Sequence, residues 1–491
     1  MKRTLLRCSL AAGPLILLAA CHPAGPNYQR PPAPVPAAWR VEGPWRPAEP
    51  VDVIPKGEWW KVFQDPALDR IEASVLAANQ SLVSAAARVE QVRALASIAI
   101  GDFYPQFGTS PSFLRQRLSG NRPSIGAPVT GAVTQTAWQL PFVLSYEPDL
   151  FGRTRRSTEA ANASYQAAGA DFENMKLVLT AEAAADFYTL SEIDAEIRIL
   201  DDTVASFEKA LALVQNRHDG GIASGLDVAQ EQALLDATRT QATLERQLRA
   251  QYEHALAVLC GQPAPDFRVA PSSLEKHLPA LPTGVPSDVL ERRPDIARQE
   301  RLMAAANARI GLARAAYYPS LQLAVSAGFE STGIGSLFSL PSSLWAVGAS
   351  LAQNIFSGGR VHAGVDFAAA GYQDAVAQYR QTVLTAFQEV QDALAGLEVF
   401  AGAATSQNAA VQDSQRALGI AMNRYQGGLV TYLDVVTAQQ NLLANERQHA
   451  QIRGGQLVSS VMLVKALGGG WDAGSLAALR VKPDIRTAFR P

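Results

Sequence analysis

Cysteine, histidine and net charge are all scarce in this chain, and each scarcity excludes a class of protein. Its 491 residues include 3 cysteines, too few for a fold held together by disulfides. The 6 histidines are scattered, and none lies at metal-ligand spacing from a carboxylate or a thiol. Lys and Arg number 43 against 45 Asp and Glu, so no basic surface for a nucleic acid is expected. We therefore expect no metal site, no nucleic-acid partner and no catalytic group.

The N-terminus has the pattern of an export signal. Residues 1–20 begin with positive charges and continue into an apolar run shorter than the about 20 residues that a membrane span requires. The run ends in residues 18–21 (LAAC), which are similar to the lipobox of bacterial lipoproteins. That similarity predicts a signal peptide over residues 1–20 and a covalent lipid on Cys21 as a membrane anchor. His22 follows, rather than the aspartate that resembles an inner-membrane retention signal, which favours the outer membrane.

The alternative is an ordinary signal peptide whose cleavage site happens to adjoin a cysteine. In either case a proline-rich stretch follows over residues 21–58. Proline-rich segments are extended and semi-rigid rather than helical. We therefore expect this stretch to be an N-terminal spacer between the lipid and the body of the protein.

Proline is absent from the segments where it would interrupt a long helix. None occurs in residues 149–262 or 342–482, which are rich in alanine, glutamine, glutamate and arginine. A helix from about Arg153 to about Asn216 would be ~95 Å long, more than a compact domain accommodates. A soluble coiled coil or a helical bundle is the alternative explanation of this pattern.

Two heptad-like series of small and apolar residues support the long helices. The first series is Ala163, Ala167, Ala170, Asn174, Leu177, Ala181, Ala184 and Tyr188. The second series is Leu234, Ala237, Gln241, Leu244, Leu248, Tyr252, Ala255 and Leu259. Because many members are alanine, we expect the helices to approach one another closely.

Four other segments have a residue pattern that repeats at every second position, with mostly apolar or aromatic side chains on one face. They are residues 107–113, 138–146, 321–329 and 345–351. A period of two residues predicts strands with one apolar face. Aromatic residues near the strand ends suit a membrane β-barrel better than a soluble sandwich.

The chain also repeats itself. Residues 216–221 (NRHDGG) match residues 423–428 (NRYQGG), and the sequence LDV recurs at the same offset. Each half is therefore predicted to contain a helix, two strands and a long helical hairpin. The predicted domains are the repeats over residues 59–270 and 287–471, a linker over residues 271–286 and a C-terminal tail over residues 472–491.

Each predicted hairpin turn has the same chemistry. The glycine pairs 220–221 and 427–428 are expected to supply the positive φ that ends a helix. Asp227 and Asp434 follow at the start of the returning helix, where a carboxylate can cap free N–H groups. Turn geometry alone explains these residues as well as an exposed docking tip does.

Several longer motifs together resemble the TolC-like outer membrane efflux family, and within it the lipidated NodT-type factors of RND tripartite efflux systems. The resemblance covers nearly the whole mature chain. The motifs are residues 59–68 (WWKVFQDPAL), 291–296 (ERRPDI), 316–321 (AYYPSL), 424–429 (RYQGGL) and 465–471 (KALGGGW).

This resemblance implies a mainly α fold with a membrane β-barrel and an internal two-fold repeat. Three copies would form a homotrimer whose twelve-stranded barrel, four strands per chain, is continued by a long α-helical barrel through the periplasm. The implied function is a passive exit duct in the outer membrane. Its implied partners are a periplasmic adaptor, an inner-membrane RND-type transporter and outer-membrane lipid, with no cofactor beyond the lipid on Cys21.

The resemblance also implies two sites at the hairpin tips. The periplasmic gate would be formed by Leu433, Asp434 and Thr437, although the family often has aspartate at the position of Thr437. An acidic ring would then require Asp434 in place of an aspartate at position 437, whereas a ring of Leu433 side chains would resist wetting. Leu433 as an ordinary seam residue between helices is the alternative. The adaptor contact would comprise Arg217, Gly220, Gly221, Asp227, Arg424, Gly427 and Gly428.

Two other functions would account for parts of the sequence. A lipid-anchored periplasmic coiled-coil adaptor or scaffold would keep the long hairpins but would not need four alternating strands. A lipoprotein enzyme would have to use the charged residues 291–295, which lack a neighbouring nucleophile, base or metal set. The sequence does not indicate which substrate is exported or which adaptor the protein binds.

Overall fold

The computed structural model describes residues 23–33, 35–36, 57–122, 131–279, 292–471 and 473–482. The predicted signal peptide and Cys21 lie outside these residues. So do parts of the predicted spacer, linker and C-terminal tail.

Seven helices are the main elements of the described chain. Two of them, α3 and α6, have 67 residues each and are about 100 Å long at 1.5 Å per residue. Each is followed by a 35-residue helix, α4 or α7, which returns along it. The helices are α1 (Pro66–Ala78), α2 (Gln80–Gly101), α3 (Arg153–Asp219), α4 (Gly225–Leu259), α5 (Pro294–Ala315), α6 (Arg360–Gln426) and α7 (Tyr432–Ala466).

The shorter helices pack against the long ones in two regions, one near the sheet and one far from it. The strand-proximal half of α3 packs on α2 and α5, where Ala163 meets Ala304 and Ala305. Its distal half packs on α4, and α6 pairs with α5 and α7 in the corresponding way. This arrangement confirms the predicted repeat of helix, strands and long hairpin, and the first predicted heptad series is largely buried along α3.

The strands form one antiparallel sheet. In spatial order β3 (Val133–Tyr146), β4 (Ser320–Ser331) and β5 (Ser343–Ala352) are neighbours, and two short strands share the outer edge of β3. These are β1 (Gln106–Thr109) and β2 (Ser112–Leu118). The first predicted strand is thus interrupted at Pro111, because proline has no N–H to donate to a ladder.

The strand register places the apolar residues on one face of the sheet. Leu144 lies opposite Val325, and Val325 lies opposite Val347 on the next strand. Side chains alternate along a strand, so the residues two positions away share this face. Phe142, Trp138 and Trp345 belong to it, as the alternation predicted.

The second predicted heptad series is wrong by one residue over most of its length, although its last member, Leu259, is buried as predicted. In the half of α4 nearer the tip the buried side chains are those of Glu231, Leu235, Thr238 and Ala242, whereas Leu244 further along is 59% exposed. The leucine residues of the predicted series favoured its burial, but most of that series is exposed. The series that contains Glu231 and Leu235 is buried instead, and Glu231 accepts a hydrogen bond from Gln439 of α7 in a fully buried position.

The described part of the proline-rich segment lies along the helices rather than standing free as a spacer. Arg156 of α3, with a side chain 4% exposed, donates through Nε to the carbonyl of Ala24 at 3.0 Å. Its Nη2 donates to the carbonyl of Gly25 at 3.1 Å and to Asn27 Oδ1 at 2.9 Å. Gly25 is needed here, because a Cβ atom on it would lie 2.4 Å from Gly311 Cα.

Candidate functional site at the paired helix tips

The ends of α3 and α6 far from the sheet carry two closely similar turns. In each turn the first glycine has a right-handed backbone conformation, with φ −79° at Gly220 and −77° at Gly427. The second glycine is left-handed, with φ +74° at Gly221 and +72° at Gly428. The prediction of positive φ is therefore confirmed for Gly221 and Gly428 and wrong for the glycine before each.

The returning helices are capped by the predicted carboxylates. Asp227 Oδ2 accepts from the N–H of Ser224 at 3.2 Å, and the Asp227 N–H donates to Ser224 Oγ at 3.2 Å. Asp434 Oδ2 accepts from both the N–H and the hydroxyl of Thr431, at 3.1 Å and 2.9 Å. Because this oxygen of Asp434 is occupied by the cap, the carboxylate has an evident structural role at the turn.

Each tip exposes a pair of large apolar side chains. Ile222 and Leu226 are 71% and 65% exposed on the first tip, and Leu429 and Leu433 are 72% and 56% exposed on the second. Leu433 is thus not a seam residue within the chain. Sequence reasoning named Leu433 and missed its three counterparts, although their equivalent positions in the repeat would have identified them.

Thr437 lies one turn after Leu433 on the same exposed face. Its hydroxyl donates to the carbonyl of Leu433 at 2.8 Å. The predicted gate residues Leu433 and Thr437 are therefore neighbours at the surface of the second tip, with Asp434 beside them.

Arg217 joins the two tips. Its Nη1 donates to the carbonyl of Gln426 at 3.3 Å, and its guanidinium lies 4.9 Å from the ring centroid of Tyr425. Arg424, by contrast, is exposed. The two arginines, predicted as equivalent docking residues, therefore differ: Arg217 connects the hairpins, and Arg424 faces outward.

A small core holds the tips together from inside. Tyr425 and Tyr432 pack edge to face with ring centroids 4.9 Å apart, next to Val214. Glu231 is fully buried against Tyr432 and Gln439, and burial raises the pKa of its carboxyl group. Burial, together with the neighbouring Glu231, also raises the pKa of the Tyr432 hydroxyl. Sequence reasoning missed this buried polar contact because a glutamate between helices reads as solvent-exposed.

A second polar junction lies midway along α3. Arg447 of α7 donates to Glu196 Oε2 of α3 at 2.7 Å and to Glu245 Oε1 of α4 at 2.6 Å. Nearby, burial and the adjacent carboxylates of Glu196 and Glu245 raise the pKa of Glu192 to about 7. Gly454 leaves room for this carboxyl group, since a Cβ there would collide with it. The junction ties the first hairpin to the second above the tips.

Within the described ranges, no group of three or more His, Cys, Asp and Glu side chains is arranged to hold a metal ion. Among the helices of the same ranges, none has both the length and the apolarity needed to cross a bilayer.

In this chain, two strand segments of one sheet each lead into a helix about 100 Å long. This is the protomer architecture of TolC-like outer membrane channels. The chain belongs to the outer membrane efflux protein family. The sequence model of that family matches residues 73–262, which lie within the first predicted repeat, and residues 285–469, which begin two residues before the second predicted repeat.

The alignments with sequence relatives cover most of this chain and most of each relative. It is 36% identical over 455 residues to the toluene efflux pump outer membrane protein TtgF of Pseudomonas putida, covering 91% of this chain and 94% of the relative. It is 35% identical over 448 residues to the antibiotic efflux pump outer membrane protein ArpC of Pseudomonas putida, covering 91% and 92%.

Solved structures that this chain resembles are also outer membrane channels. The outer-membrane channel OprN has a TM-score of 0.84 at 28% identity, over 91% of this chain and 99% of that structure. The open state of the MtrE outer membrane channel of Neisseria gonorrhoeae has a TM-score of 0.80 at 27% identity, over 94% and 100%. The protein is therefore an outer-membrane exit duct of an efflux pump that extends into the periplasm, and not a separate periplasmic adaptor or scaffold.

Proposed function

We propose that three copies of this chain form a passive duct whose periplasmic end is closed by the second-repeat tips. A ring of three Leu433 side chains would be the constriction, and the tips of both repeats would contact a periplasmic adaptor. The observation that carries the proposal is the exposed apolar pair on each tip, at the far end of helices about 100 Å long.

The sheet supports a trimer. Among the described residues of one chain, the outer edges of β1 and β2 on one side and of β5 on the other have no strand beside them. A lipid-exposed sheet edge leaves backbone N–H and C=O groups unpaired in the bilayer, where no water can satisfy them. Three copies pairing edge to edge complete a twelve-stranded closed barrel, which removes every edge.

The tips support an adaptor contact. Ile222 and Leu429 are exposed beside the turns. Arg424 is also exposed, whereas Arg217 is engaged by its hydrogen bond to the carbonyl of Gln426. Apolar side chains with a basic residue at the rim are typical of protein–protein contacts. The partner proposed here is an adaptor that joins the duct to an inner-membrane transporter of the RND type.

The duct is proposed to conduct whatever small molecules its transporter delivers. Of two relatives with nearly the same identity to this chain, one is named for toluene efflux and the other for antibiotic efflux. Substrate selection in such an assembly then lies in the transporter, and this chain performs no bond chemistry.

The trimer and its function can be tested together in a strain that lacks its own outer membrane efflux channels. Co-expression with a periplasmic adaptor and an RND-type transporter should restore efflux of a fluorescent substrate. Unheated outer-membrane samples should contain a band of trimer size that heating converts to monomer. A water-soluble monomer, or unrestored efflux with trimers present, would contradict the assembly or the duct role respectively.

A lipid on Cys21 is proposed as a second anchor. The N–H of Ala24 donates to the carbonyl of Phe151 at 2.9 Å, between the end of β3 and the start of α3. Ala24 is therefore fixed at the membrane end of the helices, and a lipid attached three residues earlier in the sequence would need to reach at most ~11 Å further. Arg156, which binds the carbonyls of Ala24 and Gly25, is the side chain that fixes this position.

Two variants separate the lipid from its positioning. Cys21→Ser should abolish incorporation of radioactive palmitate, whereas Arg156→Gln should leave it unchanged. Arg156→Gln should instead lower the thermal stability of the trimer, because each hydrogen bond to a charged group contributes roughly 1.5–3 kcal/mol. Arg153→Gln is the control, since that side chain is 57% exposed and pairs with Glu147 at the surface. Palmitate labelling of the serine variant would refute the anchor.

A further inference from the structure

The outer half of the sheet contains almost no charge, and the charge present is mostly basic. Between Gln106 and Tyr146 the charged residues are Arg115, Arg117 and Arg122. In residues 320–352 there is one, Glu330. Charged side chains on a lipid-facing barrel surface cost free energy unless they lie at the interface, so the positions of these few decide what they do.

Arg115 and Arg117 lie on the lipid-facing side of the sheet. Phe113 pairs with Trp138 in the register of β2 and β3, and Arg115 and Arg117 follow it at intervals of two residues. Side chains two positions apart point to the same face. Phe113 and Trp138 are in contact, with ring centroids 4.4 Å apart, so both arginines share the face that carries the aromatic residues.

The same two arginines lie at the exterior end of the barrel. The opposite end of β3, at Tyr146, continues into α3, which extends into the periplasm. Arg115 and Arg117 are therefore about 7 Å and 13 Å beyond the Phe113 level, away from the periplasm. Aromatic residues mark the boundary between hydrocarbon and headgroups, so these guanidinium groups lie at headgroup height in the outer leaflet.

No anionic side chain of the described chain neutralises them. Arg115 and Arg117 are both exposed, and neither has a hydrogen-bond or ion-pair partner among the described residues. Glu330 lies opposite Gln139, on the other face of the sheet. Arg122 differs, because its Nη1 donates to the carbonyl of Ser119 at 3.1 Å.

An apolar surface lies on the same face of the sheet as the two arginines. In the connection between β4 and β5, Phe338 packs on Phe329 with ring centroids 5.5 Å apart and is 70% exposed. Leu340 in the same connection is 86% exposed. Phe329 shares the lipid face with Leu140, its partner in the register. A basic pair above an apolar surface is complementary to a lipid with a phosphorylated headgroup.

We propose that Arg115 and Arg117 bind the phosphate groups of a phosphorylated glycolipid of the lipid A type in the outer leaflet, with its acyl chains against Phe113 and Trp138. A guanidinium group offers two parallel N–H donors to a phosphate, which makes arginine suited to this contact. The site would hold the duct in contact with the outer leaflet independently of the lipid on Cys21. It depends on the outer-membrane location of the protein but not on the proposed gate or adaptor contact.

The test uses the full-length protein in phosphatidylcholine nanodiscs containing a small fraction of lipid A. Native mass spectrometry counts the lipid A molecules retained per protomer. Arg115→Gln combined with Arg117→Gln should reduce retention about ten-fold, because charge-assisted bidentate contacts are lost. Arg115→Lys with Arg117→Lys should retain an intermediate amount. Arg88→Gln, which removes an exposed charge from α2, is the control and should not change retention.

Two lipid substitutions identify the ligand. The wild-type protein should lose its retention when lipid A is replaced by its dephosphorylated form, and phosphatidylglycerol should be retained less than lipid A. Equal retention by the glutamine double variant and the wild type would overturn the proposal, as would equal retention of dephosphorylated lipid A or of phosphatidylglycerol. Channel conductance of each preparation is measured in parallel, so a misfolded variant, or failure of the duct function itself, is recognised separately.

Discussion

Replacing Leu433 with serine should open the periplasmic end of the duct. Leu433 is 56% exposed in the single chain, at the tip of the second hairpin. In the proposed trimer three such side chains meet, and burying each leucine contributes about 1.5–3 kcal/mol to the closed state. Serine removes that contribution and lets water enter, so single-channel conductance in planar bilayers should rise of the order of ten-fold. Cells carrying the variant should also become sensitive to large antibiotics.

The repeat supplies a matched control for this experiment. Leu226 occupies the position in the first tip that Leu433 occupies in the second, and it is 65% exposed. Leu226→Ser makes the same chemical change at a tip that is not proposed to form the constriction. Its conductance should stay at the wild-type level. If both variants conduct alike, or if Leu433→Ser behaves as the wild type, the assignment of the gate to Leu433 is wrong.

The double variant Gly221→Ala, Gly428→Ala should abolish efflux while trimers remain in the membrane. Both glycines are left-handed, with φ +74° and +72°, a conformation that costs an alanine roughly 1–2 kcal/mol. Nothing lies within 4 Å of an added Cβ at either position, so the effect comes from backbone strain rather than from a clash. Strain of this kind alters the turns that present Ile222 and Leu429 to the adaptor. The measurement is efflux of a fluorescent substrate alongside the amount of heat-sensitive trimer.

The neighbouring glycines serve as the control pair. Gly220 and Gly427 have φ −79° and −77°, which alanine adopts without strain. An added Cβ at Gly220 would be 3.4 Å from the carbonyl oxygen of Asn216, an ordinary contact. Gly220→Ala with Gly427→Ala should therefore leave efflux intact. Equal loss of efflux from both double variants would show that the tips tolerate no side chain there, and that turn geometry is not the cause.

The proposed gate and the proposed docking surface are physically connected in this chain. Arg217 of the first tip contacts Tyr425 and Gln426 of the second. Beneath them, Glu231 of the first hairpin lies buried against Tyr432 of the second. If an adaptor displaces either tip, these contacts must move or break, so binding at the proposed docking surface would act directly on the proposed constriction.

The long helices and the repeat were predictable because their signals are local. Proline is excluded from residues 149–262 and 342–482, since each proline would remove a backbone donor and clash with the preceding turn. Helix α3 accordingly runs over Arg153–Asp219, close to the predicted Arg153–Asn216. The capping carboxylates Asp227 and Asp434 were predictable for the same reason, because a cap acts within its own first turn.

The seam of α4 and the roles of the two arginines were not predictable in this way. Whether Leu235 or Leu244 is buried depends on how α4 meets α3 and α7, and both series have the same heptad spacing. Arg217 and Arg424 occupy nearly equivalent positions in the repeat, yet only Arg217 reaches across to the other hairpin. Their difference comes from the relative placement of two hairpins that are far apart in the chain.

The sequence by itself determined the elements of this protein: an exported chain with two repeats, alternating strands, very long helices and glycine turns. These follow from backbone preferences and periodicity, which act over a few residues. Only the tertiary structure decided that Gly221 rather than Gly220 is left-handed, that Glu231 is buried and that residues 24–27 are held by Arg156. Each of these depends on contacts or turn geometry set once the segments have packed, because burial and hydrogen bonding belong to pairs of segments rather than to either one.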